Sequence, residues 1–560
     1  MTFSKVYQSL LMLSLMAGFS TSILAAPDAG QLQQQIDRER EIALPKQSTP
    51  VEVAPQPLKS LPSETVTVTA FSFNGNTLLT TQQLSPIVET YLNRQLSFTE
   101  LQQAAAAVAK AYRDAGWIVR AYLPKQDITE GTVTIQIVEA IFGGTQLEGS
   151  PTRISESRLL STIETYQAKG QNLNTDQLDR AILLLDDLPG VTVAGSLQKG
   201  AGENETDLVL KTADEPLINA EVNADNAGAR ATGSNRISGN VYLNSPLKLG
   251  DQATLNLIHS RGNDYARLAY SLPVGVNGWR IGASGSYLEY DLVEGDFAGQ
   301  GNGDSSTVGL DASYPLIRSR MKNLYFGINA DHKSFDNEFN NATSTRYDIT
   351  NVSLSLNGNL FDKLGGGGAN AASLSLTQGD IDLSSQDNRS QPNANTLDIG
   401  GKFTKLNYRL SRQQVITDRI SAYAALSGQA ANDNLDSAEK FYLGGANGVR
   451  AYPANEGAGD HGQLLNLELR GRLPYNFNIT GFYDLGHVKI NHDNPTTAGD
   501  NAHTYKGAGL SLAWQADFGL NLKATWAHRI GDNPNPTATG NDQDGTLKKD
   551  RVWLNAAMAF

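Results

Sequence analysis

The chain has 560 residues, which is too many for one hydrophobic core, so we expect two or more domains. It contains no cysteine, which excludes disulfide bonds, thiolate catalysis and cysteine-ligated metal sites. The formal net charge is −13, and because phosphate binding needs a basic face, we expect no nucleic-acid partner.

Residues 1–26 are typical of a secretory signal. Lys5 supplies the positive start, residues 10–16 form a short apolar segment, and cleavage is expected near residues 25–26. The alternative is an N-terminal membrane anchor, but the apolar segment is too short to span a bilayer. No later run of about 18 apolar residues is present, so membrane insertion would require a closed β-barrel.

The segment after the signal is a polar helix followed by a proline-rich linker. Residues 27–43 have helical character with only a thin apolar stripe, which consists of Leu32 and Ile36. Such a helix suits a polar channel, where it would act as a plug, and a solvated, frayed helix is the alternative. Residues 44–63 form an extended, stiff linker with five prolines, namely Pro45, Pro50, Pro55, Pro57 and Pro62.

Two α+β modules come next, over residues 64–140 and 141–215. Each has the order strand, helix, helix, strand, strand. The predicted strands include 66–73, 117–123, 132–139, 191–197 and 207–211, and the helices of the second module are 156–166 and 175–188. Tandem copies of this order ahead of a β-rich region resemble a pair of POTRA domains, and a generic α+β pair is the alternative.

Residues 216–560 consist of segments of about ten residues that alternate apolar and polar side chains, as the strands of outer-membrane barrels do. We predict sixteen strands, beginning near residues 217, 235, 252, 265, 278, 306, 323, 347, 369, 397, 418, 463, 477, 504, 518 and 550. The even number is typical of bacterial barrels. Short and long connections alternate along the chain, which places both ends of the barrel on the periplasmic side.

The alternation also assigns side chains to the lipid or to the lumen. In the twelfth predicted strand Leu467 and Leu469 share one face, whereas Glu468 and Arg470 share the other. Charged side chains cost about 2–4 kcal/mol on a lipid face, so Glu468 and Arg470 are expected to line a polar lumen. The last strand ends on Phe560, and an aromatic residue in this place resembles the signal for insertion into the outer membrane.

One loop and one strand carry the residues to which we assign function. Phe482 and Asp484 lie on the lumen face of the thirteenth predicted strand. Arg450 lies in the sixth outer loop, over about residues 431–462, which is long enough to fold back into the pore. An Arg450–Asp484 pair there would be bidentate and would latch the loop to the barrel. Taken alone, Arg450 is better interpreted as a solvated loop charge.

Two motifs favour the latch. Gly448-Val-Arg-Ala-Tyr452 resembles the VRGY/F loop motif of the outer-membrane assembly and secretion superfamily. Phe482-Tyr-Asp-Leu-Gly486 resembles its companion strand motif, F-x-D-x-G. Ala451 stands where glycine is usual, which matters only if this residue needs a positive φ. The resemblance assigns the latch to Val449, Arg450, Tyr452, Phe482, Asp484 and Gly486.

The order of elements over the whole mature chain is similar to that of the two-partner secretion transporters, the TpsB family of FhaC and ShlB type. Further stretches that match this family are Asp187-Leu-Pro-Gly190, Pro246-Leu-Lys-Leu-Gly-Asp251 and Tyr270-Ser-Leu-Pro273. The resemblance implies a transmembrane β-barrel of 16 antiparallel strands, preceded by two periplasmic α+β POTRA domains and an N-terminal polar plug helix.

The resemblance also implies a function. The protein would export one large exoprotein (a haemolysin, adhesin, haem-binding protein or contact-dependent toxin) to the cell surface without ATP. The POTRA domains would bind the N-terminal secretion domain of this cargo. Outer-membrane lipid and the barrel-assembly machinery are further expected partners. A barrel-assembly insertase of BamA type and a passive porin are the alternatives.

No enzyme, cofactor or metal site is expected. The sequence contains no recognisable set of nucleophile, base and orienting group. The acidic residues of loop 541–545 are typical of a Ca²⁺ site or of a solvated surface loop, and we expect the solvated loop.

Overall fold

The fold is that of a computed structural model, which describes residues 27–40, 65–128, 130–385, 397–494 and 500–560. The predicted signal over 1–26 and the predicted linker over 44–63 lie outside the described residues. The first element is helix α1, Ala29–Glu39. It begins there because the Asp28 side chain caps it, accepting a hydrogen bond from the Gln31 backbone N–H at 2.8 Å.

The first α+β module has a three-stranded sheet in the order β2–β5–β4. Its elements are β1 (Thr65–Val68), β2 (Ala70–Asn74), α2 (Thr81–Val88), a 3₁₀ turn (Glu89–Tyr91), β3 (Arg94–Ser97), α3 (Phe98–Asp114), β4 (Val119–Tyr122) and β5 (Thr132–Glu139). The single strand predicted over 66–73 is two strands, because β1 pairs with β3 whereas β2 pairs in parallel with β5. Between them, Thr69 donates its backbone N–H to the Gly131 carbonyl oxygen at 2.8 Å.

The second module has its predicted order of elements. These are β6 (Ile141–Glu148), α4 (Glu156–Tyr166), α5 (Thr175–Asp186), β7 (Val191–Lys199) and β8 (Glu205–Asp214), with the sheet order β6–β8–β7. Main-chain hydrogen bonds join the two modules. Leu173 donates to the Ala140 carbonyl oxygen and Thr175 donates to the Gly116 carbonyl oxygen, each at 2.8 Å. The modules therefore contact each other through paired backbone as well as through side chains.

The rest of the chain is a closed antiparallel barrel of sixteen strands, which confirms the predicted fold. The barrel strands are β9 (Ile218–Asp225), β10 (Arg236–Asn244), β11 (Gln252–Ser260), β12 (Asn263–Val274), β13 (Trp279–Asp291), β14 (Gly301–Arg318), β15 (Lys322–Phe339), β16 (Ala342–Asp362), β17 (Gly368–Asp382), β18 (Gly401–Val415), β19 (Ile420–Ala431), β22 (His461–Arg472), β23 (Phe477–Lys489), β24 (Ala502–Gln515), β25 (Leu520–Arg529) and β26 (Asp550–Ala559). Two 3₁₀ turns, Arg230–Thr232 and Leu364–Gly366, and a small hairpin of β20 (Phe441–Tyr442) with β21 (Ala458–Gly459) complete the elements.

Side chains on the barrel strands alternate between an apolar exterior and a polar interior, as predicted. On β22, Leu467 and Leu469 are 41% and 56% exposed on the outer face, whereas Glu468 between them points inward and is partly buried. An exposed apolar band of this kind is what lipid contact requires of a barrel. None of the helices within the described ranges is long and apolar enough to cross a membrane.

Two outer loops form the site and are numbered by their order along the barrel. Loop 6 is 432–460 and loop 8 is 530–549. Loop 6 carries the β20–β21 hairpin and folds into the lumen.

Candidate functional site

The VRAY segment of loop 6 forms a tight turn inside the barrel. Val449 donates its backbone N–H to the Leu443 carbonyl oxygen at 2.7 Å, and Tyr452 donates to the Val449 carbonyl oxygen at 3.0 Å. A side chain at Gly448 would overlap the Leu443 carbonyl oxygen, so only glycine permits this close approach. The turn aims Arg450 at the wall formed by β22 and β23.

The structure brings Arg450 and Asp484 together. The guanidinium group donates from Nε to Asp484 Oδ2 at 2.9 Å and from Nη2 to Oδ1 at 2.7 Å, and the Arg450 backbone N–H donates to Oδ2 at 3.0 Å. Asp484 is 0% exposed and Arg450 is 6% exposed. The pair is therefore a buried, bidentate ion pair between an outer loop and a barrel strand.

A second carboxylate, which the sequence reasoning placed in the lumen without assigning it a role, completes the site. Glu468 Oε1 accepts from Arg450 Nη1 at 2.9 Å, while Glu468 Oε2 accepts from Arg470 Nε at 2.8 Å. The Arg450 guanidinium carbon lies 3.5 Å from the ring centroid of Phe482. Register explains the arrangement, since Glu468 faces Phe482 directly across β22 and β23, and this pairing was the signal that could have identified Glu468.

The other motif residues pack the turn against the barrel. Val449 and Leu443 lie over Gly486, where a Cβ atom would come within 2.9 Å of Val449 and 2.7 Å of Leu443. The Tyr452 ring meets the Tyr505 ring edge to face, with centroids 4.9 Å apart. Close packing therefore requires a small residue at position 486.

Ala451 is accommodated in the motif position where glycine is usual. It is fully buried and is not among the non-glycine residues with positive φ. A Cβ atom at Gly507 would lie only 2.6 Å from the Ala451 methyl group, so the space next to the turn is provided by Gly507 on β24.

Helix α1 lies inside the barrel, so the solvated-helix alternative does not describe it. Leu32 and Ile36 are each 3% exposed and belong to one apolar cluster with inward side chains of β12, β13 and β15 to β18. Arg236 on β10 forms an ion pair with Glu39 at 3.0 Å, and Asn337 on β15 accepts the Ala29 backbone N–H at 2.9 Å. The helix thus occupies the lumen through a narrow apolar stripe and a polar remainder.

The same helix contacts loop 6. Ser437 Oγ donates to Asp28 Oδ1 at 2.8 Å, and Gln34 Nε2 donates to the Lys440 carbonyl oxygen at 3.2 Å. A Cβ atom at Gly30 would lie 2.7 Å from Ser437 Oγ, so glycine allows the helix and the loop to approach closely. Loop 6 therefore contacts both the residues predicted to plug the lumen and the residues predicted to form the latch.

Loop 6 has another anchor, on strands β15 and β18 of the barrel wall. Glu439, which is 2% exposed, accepts from Lys333 Nζ on β15 at 3.0 Å and lies 2.6 Å from Lys405 Nζ on β18. The two lysines hold the pKa of Glu439, a loop residue, down at about 2 despite its burial. The sequence reasoning did not identify this anchor, because nothing in the alternation of β15 or β18 indicates which loop residue will meet the lysines.

The two aspartates of the loop at 541–545 point inward, which contradicts the prediction of a solvated acidic loop, whereas Gln543 and Gly545 are exposed. Asp542 is fully buried and accepts from Arg529 Nη2 at 2.5 Å and from Arg551 Nη2 at 2.9 Å. Arg551 also pairs with Asp544 at 3.0 Å. Arginines at the ends of β25 and β26 thus neutralise the acidic residues. Within the described ranges, no group of three or more His, Cys, Asp or Glu side chains is arranged to hold a metal ion.

The second α+β module is fastened to the periplasmic turns of the barrel. Arg318 at the end of β14 makes a bidentate pair with Asp187, both contacts being 2.7 Å, and Arg320 pairs with Asp179 at 3.0 Å. Ile154 forms a β-bridge with Leu249 in the turn between β10 and β11. Asp187-Leu-Pro-Gly190 and Pro246-Leu-Lys-Leu-Gly-Asp251, matched as separate motifs in the sequence, meet at this junction, where Gly190 lies against Ser245.

The chain terminus closes the barrel. Phe560 donates its backbone N–H to the Ala220 carbonyl oxygen at 2.8 Å, and its own carbonyl oxygen accepts the Ala220 N–H at 3.2 Å. The Phe560 side chain is 67% exposed. The structure thus places the terminal aromatic residue beside β9 at the seam of the barrel.

Together, the closed apolar-faced barrel, the two α+β modules at its periplasmic turns and the lumen helix define an outer-membrane transporter with periplasmic POTRA domains. Residues 204–514 match the family described as haemolysin secretion/activation protein ShlB/FhaC/HecB, and residues 66–140 match the ShlB-type POTRA domain. Since the first match covers more than half of the chain, the chain belongs to the ShlB/FhaC/HecB family of two-partner secretion transporters. Its barrel lies in the outer membrane and its POTRA domains lie in the periplasm.

Curated relatives and a solved structure agree with this assignment. The heme/hemopexin transporter protein HuxB of Haemophilus influenzae is 26% identical over 524 residues, which are 90% of this chain and 92% of that protein. The outer membrane transporter CdiB of Dickeya dadantii is 24% identical over 544 residues, covering 91% and 90%. The structure of CdiB from Escherichia coli matches with a TM-score of 0.70 at 22% identity, covering 95% of this chain and 98% of that one, and this likeness supports the fold.

Proposed function

We propose that this chain captures one large exoprotein in the periplasm through its POTRA domains and passes it through the barrel to the cell surface without ATP. The observation that carries the proposal is a lumen occupied by two separate elements, α1 and loop 6, which are held by polar contacts as well as by apolar packing. A passive porin needs neither element, whereas a transporter for a folding polypeptide has to be closed at rest.

Capture is proposed to occur on the POTRA sheets. In the described part of the chain each of these two sheets has two edge strands, β2 and β4 in the first and β6 and β7 in the second, and β4 and β7 are the edges that pair in the antiparallel direction. An extended cargo segment could add to such an edge through main-chain hydrogen bonds, with alternate side chains providing specificity. Val119–Tyr122 and Val191–Lys199 are the two segments to test for this contact.

Opening is proposed to begin with the departure of α1. The apolar contribution to its binding comes mostly from Leu32 and Ile36, which corresponds to about 3–6 kcal/mol for two buried aliphatic side chains. The remaining contacts are hydrogen bonds and ion pairs that water can replace on release. A cargo segment that enters the lumen could therefore displace the helix without unfolding the barrel.

The Arg450–Asp484 pair is proposed to hold loop 6 in the conformation that the pore requires, from which the loop rearranges when cargo passes. The pair is buried and bidentate, and Glu468 shares the guanidinium group. Export is then drawn forward by folding of the cargo outside the cell. Insertion of the protein into the outer membrane is proposed to rely on the barrel-assembly machinery, which would recognise the last strand and its terminal Phe560.

The test is a secretion assay in cells that lack the gene and carry it on a plasmid. Proteomics of the culture medium is expected to show one very large protein that disappears without this chain and returns with it. Arg450→Ala is expected to reduce that protein strongly, while Arg419→Ala, which changes an exposed arginine in a periplasmic turn, leaves it unchanged. Loss of many outer-membrane barrels instead would indicate an insertase, and altered uptake of small solutes alone would indicate a porin.

A further inference from the structure

Loop 8 covers a buried carboxyl group of loop 6. Glu456 is 0% exposed. Its Oε1 accepts a hydrogen bond from Asn533 Nδ2 at 2.9 Å, and its Oε2 accepts from the Gln543 backbone N–H at 2.8 Å. Both donors belong to loop 8, so one side chain of loop 6 joins the two outer loops.

Loop 8 is itself fixed to the barrel wall. Asn533 Nδ2 also donates to Asp542 Oδ1 at 2.9 Å. Asp542 in turn binds Arg529 of β25 and Arg551 of β26. The Arg529 guanidinium carbon lies 4.4 Å from the ring centroid of Tyr452, the last residue of the VRAY turn. Glu456 therefore ties loop 6 to a support on the side of the lumen formed by β25 and β26.

Among the described residues, the carboxyl group of Glu456 has acidic neighbours but no basic partner of its own. In the described part of the chain, no lysine or arginine forms an ion pair with Glu456, and both nearby arginines pair with the aspartates of loop 8. The titratable groups that interact with Glu456 are Asp542 and Asp544 of loop 8, Tyr505 of β24 and Tyr452 of loop 6 itself. Arg529 of β25 and Arg551 of β26 are the charged groups that bind the two aspartates.

These surroundings disfavour the ionised form. Burial raises the pKa of Glu456, a loop residue, to about 7, and the charges of Asp542 and Asp544 act in the same direction, against the hydrogen bonds from Asn533 and Gln543. A residue that is solvated after loop release would return to the ordinary value of 4.5. The docked arrangement therefore binds a proton more tightly than the released one does.

We propose that Glu456 is a proton-dependent clasp that positions loop 6 against loop 8 and sets how readily loop 6 rearranges during export. The proposal rests on the proposed function, in which loop 6 rearranges when cargo passes. Because the docked Glu456 holds its proton up to a higher pH, the clasp is strongest in acid and weakens as the pH rises from 4.5 to about 7. Between pH 5.5 and pH 8.5 the ratio of docked to released loop falls roughly thirty-fold.

The experiment measures the distance between loops 6 and 8 directly. The chain has no cysteine, so A454C in loop 6 and T539C in loop 8 can be spin-labelled in the full-length protein without a background signal. Pulsed electron paramagnetic resonance at pH 5.5 and pH 8.5 then reports the docked and released populations. Glu456→Gln is the test variant, and Glu338→Gln, on the outer rim of β15, is the matched carboxylate control.

We expect the released population of the native chain to grow at pH 8.5, and the Glu338→Gln control to behave in the same way. Glu456→Gln cannot ionise, so its docked population is expected to be the same at both pH values. Asn533→Leu removes a donor from the clasp and should be released at both, which keeps the test decisive if Glu456→Gln does not fold.

A distance that is independent of pH in the native chain would overturn the proposal, as would a pH response that survives in Glu456→Gln. The distance measurement needs no cargo, so it can fail while the secretion assay succeeds. Conversely, a pH-dependent clasp in a protein that secretes nothing would refute the proposed function and leave the clasp standing.

Discussion

Replacing Arg450 by alanine removes the charge that holds loop 6 to the barrel wall, and the structure sets the size of the effect. The change eliminates two hydrogen bonds to Asp484, one to Glu468 and the contact with the Phe482 ring. Asp484 remains fully buried with only Asn466 Nδ2 and the backbone N–H of residue 450 as donors. Breaking a buried ion pair in this way costs about 3–5 kcal/mol.

If this energy acts only on the docking of loop 6, the docked-to-released ratio falls by roughly two to three and a half orders of magnitude. Asp484→Ala should cost less, since Arg450 retains Glu468 as an acceptor. The double variant removes both charges of the pair, so neither stays buried without its partner. Its loss of unfolding free energy should therefore be about 1–3 kcal/mol smaller than the sum of the two single losses.

Two assays measure these quantities. The free energy of unfolding in detergent gives the double-mutant cycle, and single-channel recordings in planar bilayers report how often the pore opens. Arg419→Ala serves as the exposed-arginine control in both. The reasoning is refuted if Arg450→Ala opens no more often than the native chain, or if the two single costs simply add in the double variant.

Three further predictions concern the plug, the POTRA junction and the terminus. Gly30→Val places a side chain within 2.7 Å of Ser437 Oγ and should displace α1, which is measured as increased uptake of large antibiotics, and unchanged uptake would contradict it. Arg318→Ala removes a bidentate pair with Asp187 and should weaken the POTRA–barrel junction by about 1.5–3 kcal/mol, seen as faster proteolysis between the two while the barrel stays folded; an unchanged cleavage rate would contradict it. Deleting Phe560 should lower the amount of folded protein in outer-membrane fractions, and normal amounts would show that the terminal residue is not the insertion signal.

The barrel could be predicted from the sequence because alternation of apolar and charged residues over sixteen strands is a local signal that lipid contact imposes on every strand. The Arg450–Asp484 contact could be anticipated only with the help of the motif resemblance. Strand parity fixes the face of Asp484 and the loop count fixes the side from which Arg450 enters, but neither shows that the two residues pair. Glu468 was assigned to the lumen, but its second role needed the register of β22 with β23.

Other features depend on contacts between distant segments and leave no local signal. The buried position of Asp542 follows from two arginines at the ends of neighbouring strands, and an acidic loop read alone looks solvated. The break between β1 and β2 at Thr69 arises because the first half of one apolar run pairs with β3 and the second half pairs with β5. Glu439 meets Lys333 only because loop 6 crosses the lumen.

The most direct test of the central claim is to detect cargo inside the barrel. Leu522 and Lys523 are neighbours on β25, with Leu522 exposed on the lipid face and the Lys523 side chain directed into the lumen. A photo-crosslinking amino acid placed at each position during active secretion should capture the exoprotein from position 523 and not from position 522. Crosslinks from position 522, or none from 523 while secretion continues, would contradict passage through the lumen.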